Sequence, residues 1–600
     1  MRTQLMALLA GLNFICASGL AAGLPAGVSL LPSALAALKL GGRDADAARV
    51  SNVTVTNAPF ASALRVQTLR EPPYPWNITL AAPTTADIHQ GDVLLATVMA
   101  RRIQSRQETG EALLELIAEQ NDAEHHKLLE LATSVGPDWT PVRAPFVADR
   151  DYPAGTAQIS LRFGYRPQVI EVAAIGLTNF GPHMALAELP RTVARYAGWA
   201  ADAPWRQAAA ERIEKIRKGD LKIQVVDAQG KPVAGASVSV RMVRHAFAFG
   251  SAVQASRIAA PAGPDDERYC QTIEKYFNKV VFENDLKWYR WGTNTPTERE
   301  HRRQTLAAID WLRARHIAIR GHVMVWPSWE NEPAFLRSLA DQPAKLRQAI
   351  DDHIADQTAT LKGKLAEWDV VNESYANNDI LKILGRDEMV HWFQLAHQGD
   401  PAVKLFYNDY IMFAGHGPGS PSQYLFDTIH FLQTKGAPLD GLGEQGHFGG
   451  SPPAPTQVLA TLDRFAQFGL PIQISEFDID TSDEELQAHY TRDFLTACFS
   501  HPAVSGVMMW GFWEGAHWRP RAALWSRDWT LRPNGRAWLD LVTKEWWTNT
   551  NGVTAADGTL ATRGFCGDYE ISVQAGNRRE RREVSLSRSG LELRWVLSKD

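Results

Sequence analysis

Between residues 246 and 511, short apolar runs alternate with helical stretches at a near-constant pitch. The runs are AFAFGSA from Ala246, VVFEND from Val280, IAIRGHVM from Ile317, AEWDVVNE from Ala366, VKLFYND from Val403, DGLGEQG from Asp440, PIQISEF from Pro471 and SGVMMWG from Ser505. Their starts lie 34, 37, 49, 37, 37, 31 and 34 residues apart. Each interval holds one strand, a loop and a helix, the crossover that parallel strands require. Eight such units predict a closed (β/α)8 TIM barrel. A doubly wound open sheet is the alternative, but it normally uses fewer strands.

The rest of the 600 residues divides by pattern into a multidomain chain. Residues 1–22 read as a secretory signal, with Arg2 as the charge, Leu5 to Ile15 as the apolar stretch and Gly19-Leu20-Ala21-Ala22 as the small-residue cleavage region. Cys16 follows Ile15 rather than a small residue, which argues against a lipid-anchored start. An exported protein is the expectation, extracellular, periplasmic or at the cell surface. Residues 23–45 read as a linker; Leu24 to Leu40 is apolar but broken by Pro25 and Pro32, with an uncleaved anchor as the alternative. Residues 46–195 read as an all-β sandwich, from short alternating runs such as Val93–Ala100 and Val169–Gly176. A helical connector at 196–219 and a small β unit at 220–244 lead into the barrel at 245–548. Residues 549–600 read as a short β-rich C-terminal appendage, with Arg578–Glu583 (RRERRE) as a solvated turn.

Composition narrows the function. With 62 basic against 67 acidic residues the net charge is −5, so no basic field points to nucleic acid. Four Cys make no disulfide framework, and Cys270 and Cys498 fall in amphipathic helices as buried apolar residues. Neither CxxC nor HExxH occurs, so no metal site and no cofactor are expected. The 20 Trp outnumber the 13 Tyr, which suits a surface that grips flat, hydroxyl-bearing rings. Gly441-Leu-Gly443-Glu-Gln-Gly446 fits GxGxxG, but HFGGSPPAP follows, where a dinucleotide site needs a helix to begin.

Catalytic groups in such a barrel lie at the C-terminal ends of the strands. Those ends supply Glu283, Asn284 and Lys287; His322 and Trp326; Asn372 and Glu373; Asn408 and Asp409; Gln445 and His447; Glu476 and Asp478; and Trp510, Trp513 and Trp518. Two carboxylates at one mouth suit glycosidic bond hydrolysis, in which one protonates the leaving oxygen and the other meets the developing oxocarbenium ion. His447 between Glu476 and Asp478 keeps Glu476 ionised, as a nucleophile requires. Glu373 follows the apolar run from Trp368, where burial raises its pKa, as a general acid requires.

WDVVNE (Trp368–Glu373) and ISEFDI (Ile474–Ile479) resemble the acid/base and nucleophile blocks of glycoside hydrolase family ten, the endo-β-1,4-xylanases. FENDLKW (Phe282–Trp288), GHVMVW (Gly321–Trp326), LFYNDY (Leu405–Tyr410), GEQGHF (Gly443–Phe448) and MMWGFWEGAHW (Met508–Trp518) are similar to its other blocks, in order. The resemblance implies a retaining endo-1,4-β-xylanase with Glu373 as acid/base and Glu476 as nucleophile. It also implies that Glu283, Asn284, Lys287, His322, Trp326, Asn372, Gln445, His447, Trp510 and Trp518 line the sugar sites, with xylan as the partner. Residues 46–190 resemble, in fold class and position, the carbohydrate-binding modules found ahead of such barrels. One departure is local: after GHVMVW the family usually has His, and Pro327 stands here, followed by Ser328 and Trp329. A β-1,4-glucanase on the same barrel and a catalytically idle carbohydrate-binding protein are the alternatives. Oligomeric state is left open.

Overall fold

All eight apolar runs form strands. The computed structural model describes residues 26–597 apart from 33–34, 107–110, 123, 193–195, 197, 293, 416–418, 451 and 482. The leader reading at 1–22, with Cys16, lies outside the described residues. The chain divides into two compact units, one holding the N-terminal sandwich and the other the barrel with a second β assembly.

The barrel strands are β1 (Ala248–Val253), β2 (Lys279–Phe282), β3 (Ala318–Gly321), β4 (Glu367–Asn372), β5 (Lys404–Asp409), β6 (Gly441–Glu444), β7 (Ile472–Ile479) and β8 (Val504–Met509). Every neighbouring pair is parallel, β1 pairs with both β2 and β8, and β6 pairs with β7, so the ring closes. β1, β4 and β7 are buried along their whole length. Strands covered on both faces read as continuous apolar runs, which is why the sequence announces them.

The helices between them are α1 (Pro264–Tyr276), α2 (Pro296–Arg313), α3 (Pro343–Leu361), α4 (Glu388–Gly399), α5 (Pro421–Thr434), α6 (Pro455–Ala466), α7 (Glu484–Ser500) and α8 (Pro533–Asp540). Pro opens α1, α2, α3, α5, α6 and α8, where its fixed φ fits the first turn and no amide hydrogen is missed. Thr295 and Glu298 complete a capping box on α2. Its buried residues Thr305, Ala308, Ile309 and Leu312 follow the spacing of one helical face. Cys270 and Cys498 are buried in α1 and α7, and they and Cys566 are free thiols.

The β unit at 220–244 and the β-rich C-terminal stretch form one body. Lys218–Val226 lies between Thr559–Phe565 and Leu591–Val596, and Ser237–His245 lies between Asn549–Val553 and Gly567–Ala575. The two sheets contribute buried Leu221, Ile223, Val238, Val240, Ile571, Val573 and Trp595. Arg578–Leu586 is an edge strand paired with Gly567–Ala575, so the solvated-turn reading of RRERRE is corrected. Exposed and partly covered positions alternate along its charged residues, and the partly covered Arg582 lies over the Trp595 ring. A charged edge strand resists pairing with other chains. The connector is a helix, Pro204–Ile216, whose Trp205, Ala209 and Ile213 are buried while Arg206 pairs with Asp493 of α7.

The N-terminal unit is a two-sheet sandwich. One sheet orders Ala48–Thr54, Ser62–Thr68, Gln168–Asn179, Val93–Ser105 and Thr140–Val147; the other orders Lys39–Gly41, Thr79–Pro83, Ala157–Arg162, Ala112–Gln120 and Lys127–Val135. Val66, Leu94, Val98 and Val172 of the first meet Leu80, Leu114, Leu116, Ile159 and Leu161 of the second in one core. Residues 26–45 do not run as a linker. Val28–Ser29 pairs with Gln168–Asn179, Lys39–Gly41 pairs with Thr79–Pro83, and Leu30 is buried in the core. The apolar character there serves the sandwich; no helix among the described residues is long and apolar enough to cross a membrane.

Candidate functional site

The barrel mouth is built by backbone bonds that continue past the strand ends. Glu373 N–H donates to Asn408 O at 3.0 Å, Gln445 N–H to Asp409 O at 3.0 Å and Glu476 N–H to Gln445 O at 3.0 Å. Strand registers shift between Asp369 and Val371 on β4 and between Ile474 and Phe477 on β7, irregularities of the kind that re-aim a side chain. Glu373 itself has φ 54°, a left-handed conformation that a non-glycine side chain adopts at a cost of order 1–3 kcal/mol. Two glycines make room. A Cβ at Gly443 would stand 2.1 Å from Asn408 Oδ1, and Gly446 has φ 77°, turning the chain between Gln445 and His447.

Glu476 sits beside an imidazolium and an amide donor. Asn408 Nδ2–H donates to its Oε1 at 2.8 Å, and His447 Nε2 lies 3.3 Å from its Oε2. The other imidazole nitrogen, Nδ1, lies 3.0 Å from Asp478 Oδ1. Burial alone would raise the Glu476 pKa; the His447 hydrogen bond, His322, and the Asn408 amide outweigh it and hold the carboxyl below its usual value. Burial opposes charge on His447 as well, but Asp478 and Glu476 raise its pKa to about 10. Asp478 is lowered to about 2 against burial by His447, Arg519 and His517. Trp518 Nε1–H fixes the far oxygen of Asp478 at 2.7 Å.

Glu373 sits among carboxamides. Gln445 Nε2–H donates to its Oε1 at 2.7 Å and Asn377 Nδ2–H to its Oε2 at 2.8 Å. Asn372 Oδ1 accepts from Asn408 at 2.9 Å and from Gln445 at 3.5 Å, so one amide chain joins the surroundings of the two glutamates. Both glutamates are buried.

Beneath them lies a second polar layer. Arg320, fully enclosed, donates to Glu367 at 2.9 Å, to Gln473 at 2.9 Å and to Asp369 at 3.1 Å. Asp369 also holds His322 Nδ1 at 3.0 Å. Lys279 completes the charge balance on Glu367 at 2.8 Å. His322 in turn meets the Trp510 ring edge-on at 5.3 Å between centroids.

The remaining predicted residues gather on two walls. Lys287 Nζ–H donates to Asn284 Oδ1 at 3.0 Å and stands 5.0 Å from the Trp326 ring centre. Glu283 is within 3.5 Å of Gln254 Nε2, and burial raises its pKa. On the other wall Trp518 is 38% exposed, whereas Trp510 is 5% exposed and packs with Ala252, Val281 and Met508. Trp513 is buried and stacks on Trp529. Pro327 is buried at the end of the GHVMVW segment, and nearby Glu332 accepts Trp326 N–H at 2.7 Å. Residues Gly441 to Gly446 run from β6 into His447–Phe448, and the next helix begins at Pro455, so the glycine pattern opens no helix.

Residues 239–539, just over half of the chain, match glycosyl hydrolase family 10. The chain belongs to this family. Over 374 residues it is 36% identical to the anti-sigma-I factor RsgI6 of Acetivibrio thermocellus, covering 62% of this chain and 46% of that protein. Over 360 residues it is 32% identical to endo-1,4-beta-xylanase 1 of Arabidopsis thaliana, covering 60% of this chain and 37% of that protein. This family member thus spans less than half the length of these two curated relatives. Among solved structures, native xylanase 10B from Thermotoga maritima aligns at 25% identity with a TM-score of 0.44, over 50% of this chain and 96% of that one.

Sequence reasoning named Asn408 as a strand end but gave it no role; here it bridges Glu476 and Asn372. Asn377, four residues after Glu373, carried no signal, because an amide in a loop resembles any turn residue. Arg320 and Asp369 were hidden inside apolar runs, yet a buried charge within a strand is itself a signal of pairing.

Proposed function

We propose that this chain is a retaining endo-1,4-β-xylanase that cleaves internal bonds of xylan. The observation that carries the reading is the imidazole of His447 set between Glu476 and Asp478, opposite a second carboxyl, Glu373, on the same amide chain. In the first step an oxygen of ionised Glu476 attacks the anomeric carbon. The glycosidic C–O bond breaks, and the Glu373 carboxyl gives its proton to the leaving oxygen. In the second step Glu373, now a carboxylate, takes a proton from water. That water attacks the same carbon and releases Glu476. Two inversions leave the configuration retained.

His447 and Asn408 keep Glu476 charged and aimed, and Asp478 holds the imidazolium in place. Asn377 and Gln445 fix the Glu373 carboxyl toward the cleavage point. Trp518 offers an accessible ring for a pyranose, with Lys287, Asn284, Glu283 and Trp326 as hydroxyl and ring contacts on the other wall. Xylan is favoured over cellulose by the family's xylanase relatives. Export after removal of residues 1–22 belongs to the same proposal, and N-terminal sequencing of the exported chain checks it.

Reducing-sugar release from xylan against carboxymethylcellulose, with the first-formed anomer read by proton NMR, tests the reading. Release from xylan with a β first product is expected. An α first product would remove the retaining step, preference for the cellulose derivative would move the substrate, and no release from either would leave a sugar-binding protein.

A further inference from the structure

The sandwich carries an aromatic feature that the barrel chemistry does not use. Among its described residues, the exposed large aromatics are Tyr74 and Trp76, at 53% and 50%. Their rings stack on each other with centroids 4.6 Å apart and planes within 6°. Leaving this much indole in water costs burial free energy and has no packing purpose.

The segment that bears them is stiff. Pro72 and Pro73 precede the two rings and Pro75 stands between them, each restricting the backbone. It is also pinned: Asn77 Nδ2–H donates to Asp44 Oδ2 at 2.6 Å, and Gly164 N–H donates to Pro75 O at 3.0 Å. The approach is close enough that a Cβ at Gly164 would lie 2.6 Å from Pro75 O. A platform held in this way loses little freedom on binding.

Beside it, on the strands Ala157–Arg162 and Ala112–Gln120, every second residue faces the core: Ala157, Ile159 and Leu161, and Ala112, Leu114, Leu116 and Ala118. The alternate positions point away from that core, and Glu115, Glu119, Gln158 and Arg162 among them form a polar cluster. Arg162 donates to Glu115 at 3.2 Å and to Glu119 at 3.0 Å. Gln158 donates to Glu119 at 3.1 Å, Tyr165 O–H donates to Glu115 at 2.7 Å, and Lys127 pairs with Glu119. The Arg162 guanidinium lies 5.8 Å from the Trp76 ring centre. Arg162 is only 6% exposed, yet its Nε–H has no partner. The rest of its guanidinium is held by Glu115 and Glu119, so it backs the exposed ring as a fixed support.

The cluster also limits the ligand class. Glu115 and Glu119 are balanced by Arg162 and Lys127, so neither an anion nor a cation is selected. What fits is a neutral molecule with an apolar face for the rings and hydroxyls for charged side chains. A β-linked pyranose has that form, with axial C–H bonds on its faces and equatorial hydroxyls at its edge.

We propose that Tyr74 and Trp76, with Arg162 and Glu115 below them, form a second sugar site that holds a β-1,4-linked xylan chain on the sandwich. The choice of xylan rests on the reading of the barrel; the existence of the site does not. The test uses the full chain. Retention on insoluble xylan is compared for the native protein and for Tyr74→Ala/Trp76→Ala, alongside kcat/KM on an aryl β-xylobioside. Retention is expected to fall about tenfold or more while aryl-substrate turnover is unchanged. Equal retention in the two proteins would overturn the site. Retention of the native protein on microcrystalline cellulose but not on xylan would overturn the ligand. Loss of aryl turnover in the native protein would instead strike the barrel reading. Should the double variant fold poorly, Trp76→Phe serves: the change in tryptophan emission on adding xylohexaose should shrink relative to the native chain. An identical change would count against the platform.

Discussion

Two buried carboxyls are joined through one chain of amides, and their surroundings differ in kind. Glu476 has an imidazolium, a second histidine nearby and one amide; Glu373 has the amides of Gln445 and Asn377. Glu444 is the control on the same ring of strands. It is buried like Glu476 but accepts from the backbone N–H groups of Met412 and Gly446, and burial drives its pKa well above the usual value. Depth alone therefore does not decide the charge of a carboxyl here. Burial raises Glu444 and opposes charge on Glu476, and at Glu476 a partner with positive charge reverses the sign. On the proposed mechanism, Glu476 is then the nucleophile held ionised and Glu373 the acid held in place.

The largest test of that contrast is removal of the proposed nucleophile. Glu476→Ala should lower kcat by on the order of 10⁵-fold or more on both xylan and aryl xylosides. Glu373→Ala should cost about 10²–10⁴-fold on xylan, where the leaving group needs a proton. On a dinitrophenyl xylobioside, whose leaving group departs unprotonated, its first step should stay close to native, seen as a burst of phenolate. Equal losses on the two substrates in both variants would erase the distinction between the sides.

His447→Gln sharpens the contrast through pH. In the proposed mechanism Glu476 acts ionised, so its lowered pKa should set the acid limb of kcat/KM below the ordinary Glu value of about 4.3. Removing the imidazolium leaves burial less opposed, so the acid limb should move to higher pH while activity at the optimum falls about 10–100-fold. Stability should respond too. The folded His447 pKa of about 10 lies above the unfolded value of about 6.5. Its contribution is complete below about pH 6.5 and disappears as pH rises through about 10. The native Tm should decline across that window more steeply than the His447→Gln Tm; parallel declines would detach the histidine from the pair.

The smallest effect belongs to the Glu373 side. Asn377→Ala removes one amide donor from Glu373 and should lower kcat on xylan about 2–10-fold, with little change on the dinitrophenyl substrate. A loss as large as that of Glu373→Ala would mean that Asn377 does more than orient the acid.

The barrel was legible because its strands, several of them buried along their whole length, read as short apolar runs at a regular pitch, a signal that needs no knowledge of partners. The β assembly was legible only in pieces. Leu221–Val243 and the C-terminal stretch each alternate as strands, but pairing Lys218–Val226 with Thr559–Phe565 joins residues more than 300 positions apart. Local pattern carries no record of such a pairing. RRERRE was misread for a related reason, since an edge strand with charged outward residues has the composition of a turn. The stretch at 26–45 was misread because its strands are two and three residues long, too short to show a period.

The chemistry divides in the same way. Residue type and order determined the eight strands, the residues at their ends and the two glutamates, because periodicity and strand position are local properties of the chain. Tertiary structure decided that Asn408 reaches Glu476, that Asn377 and Gln445 grip Glu373, and that Arg162 lies beneath Trp76 with an unused donor. Those outcomes depend on which side chains converge from distant segments in a space that excludes water. There the strength and sign of each electrostatic interaction follow from distance and burial, quantities that exist only once the chain has closed on itself.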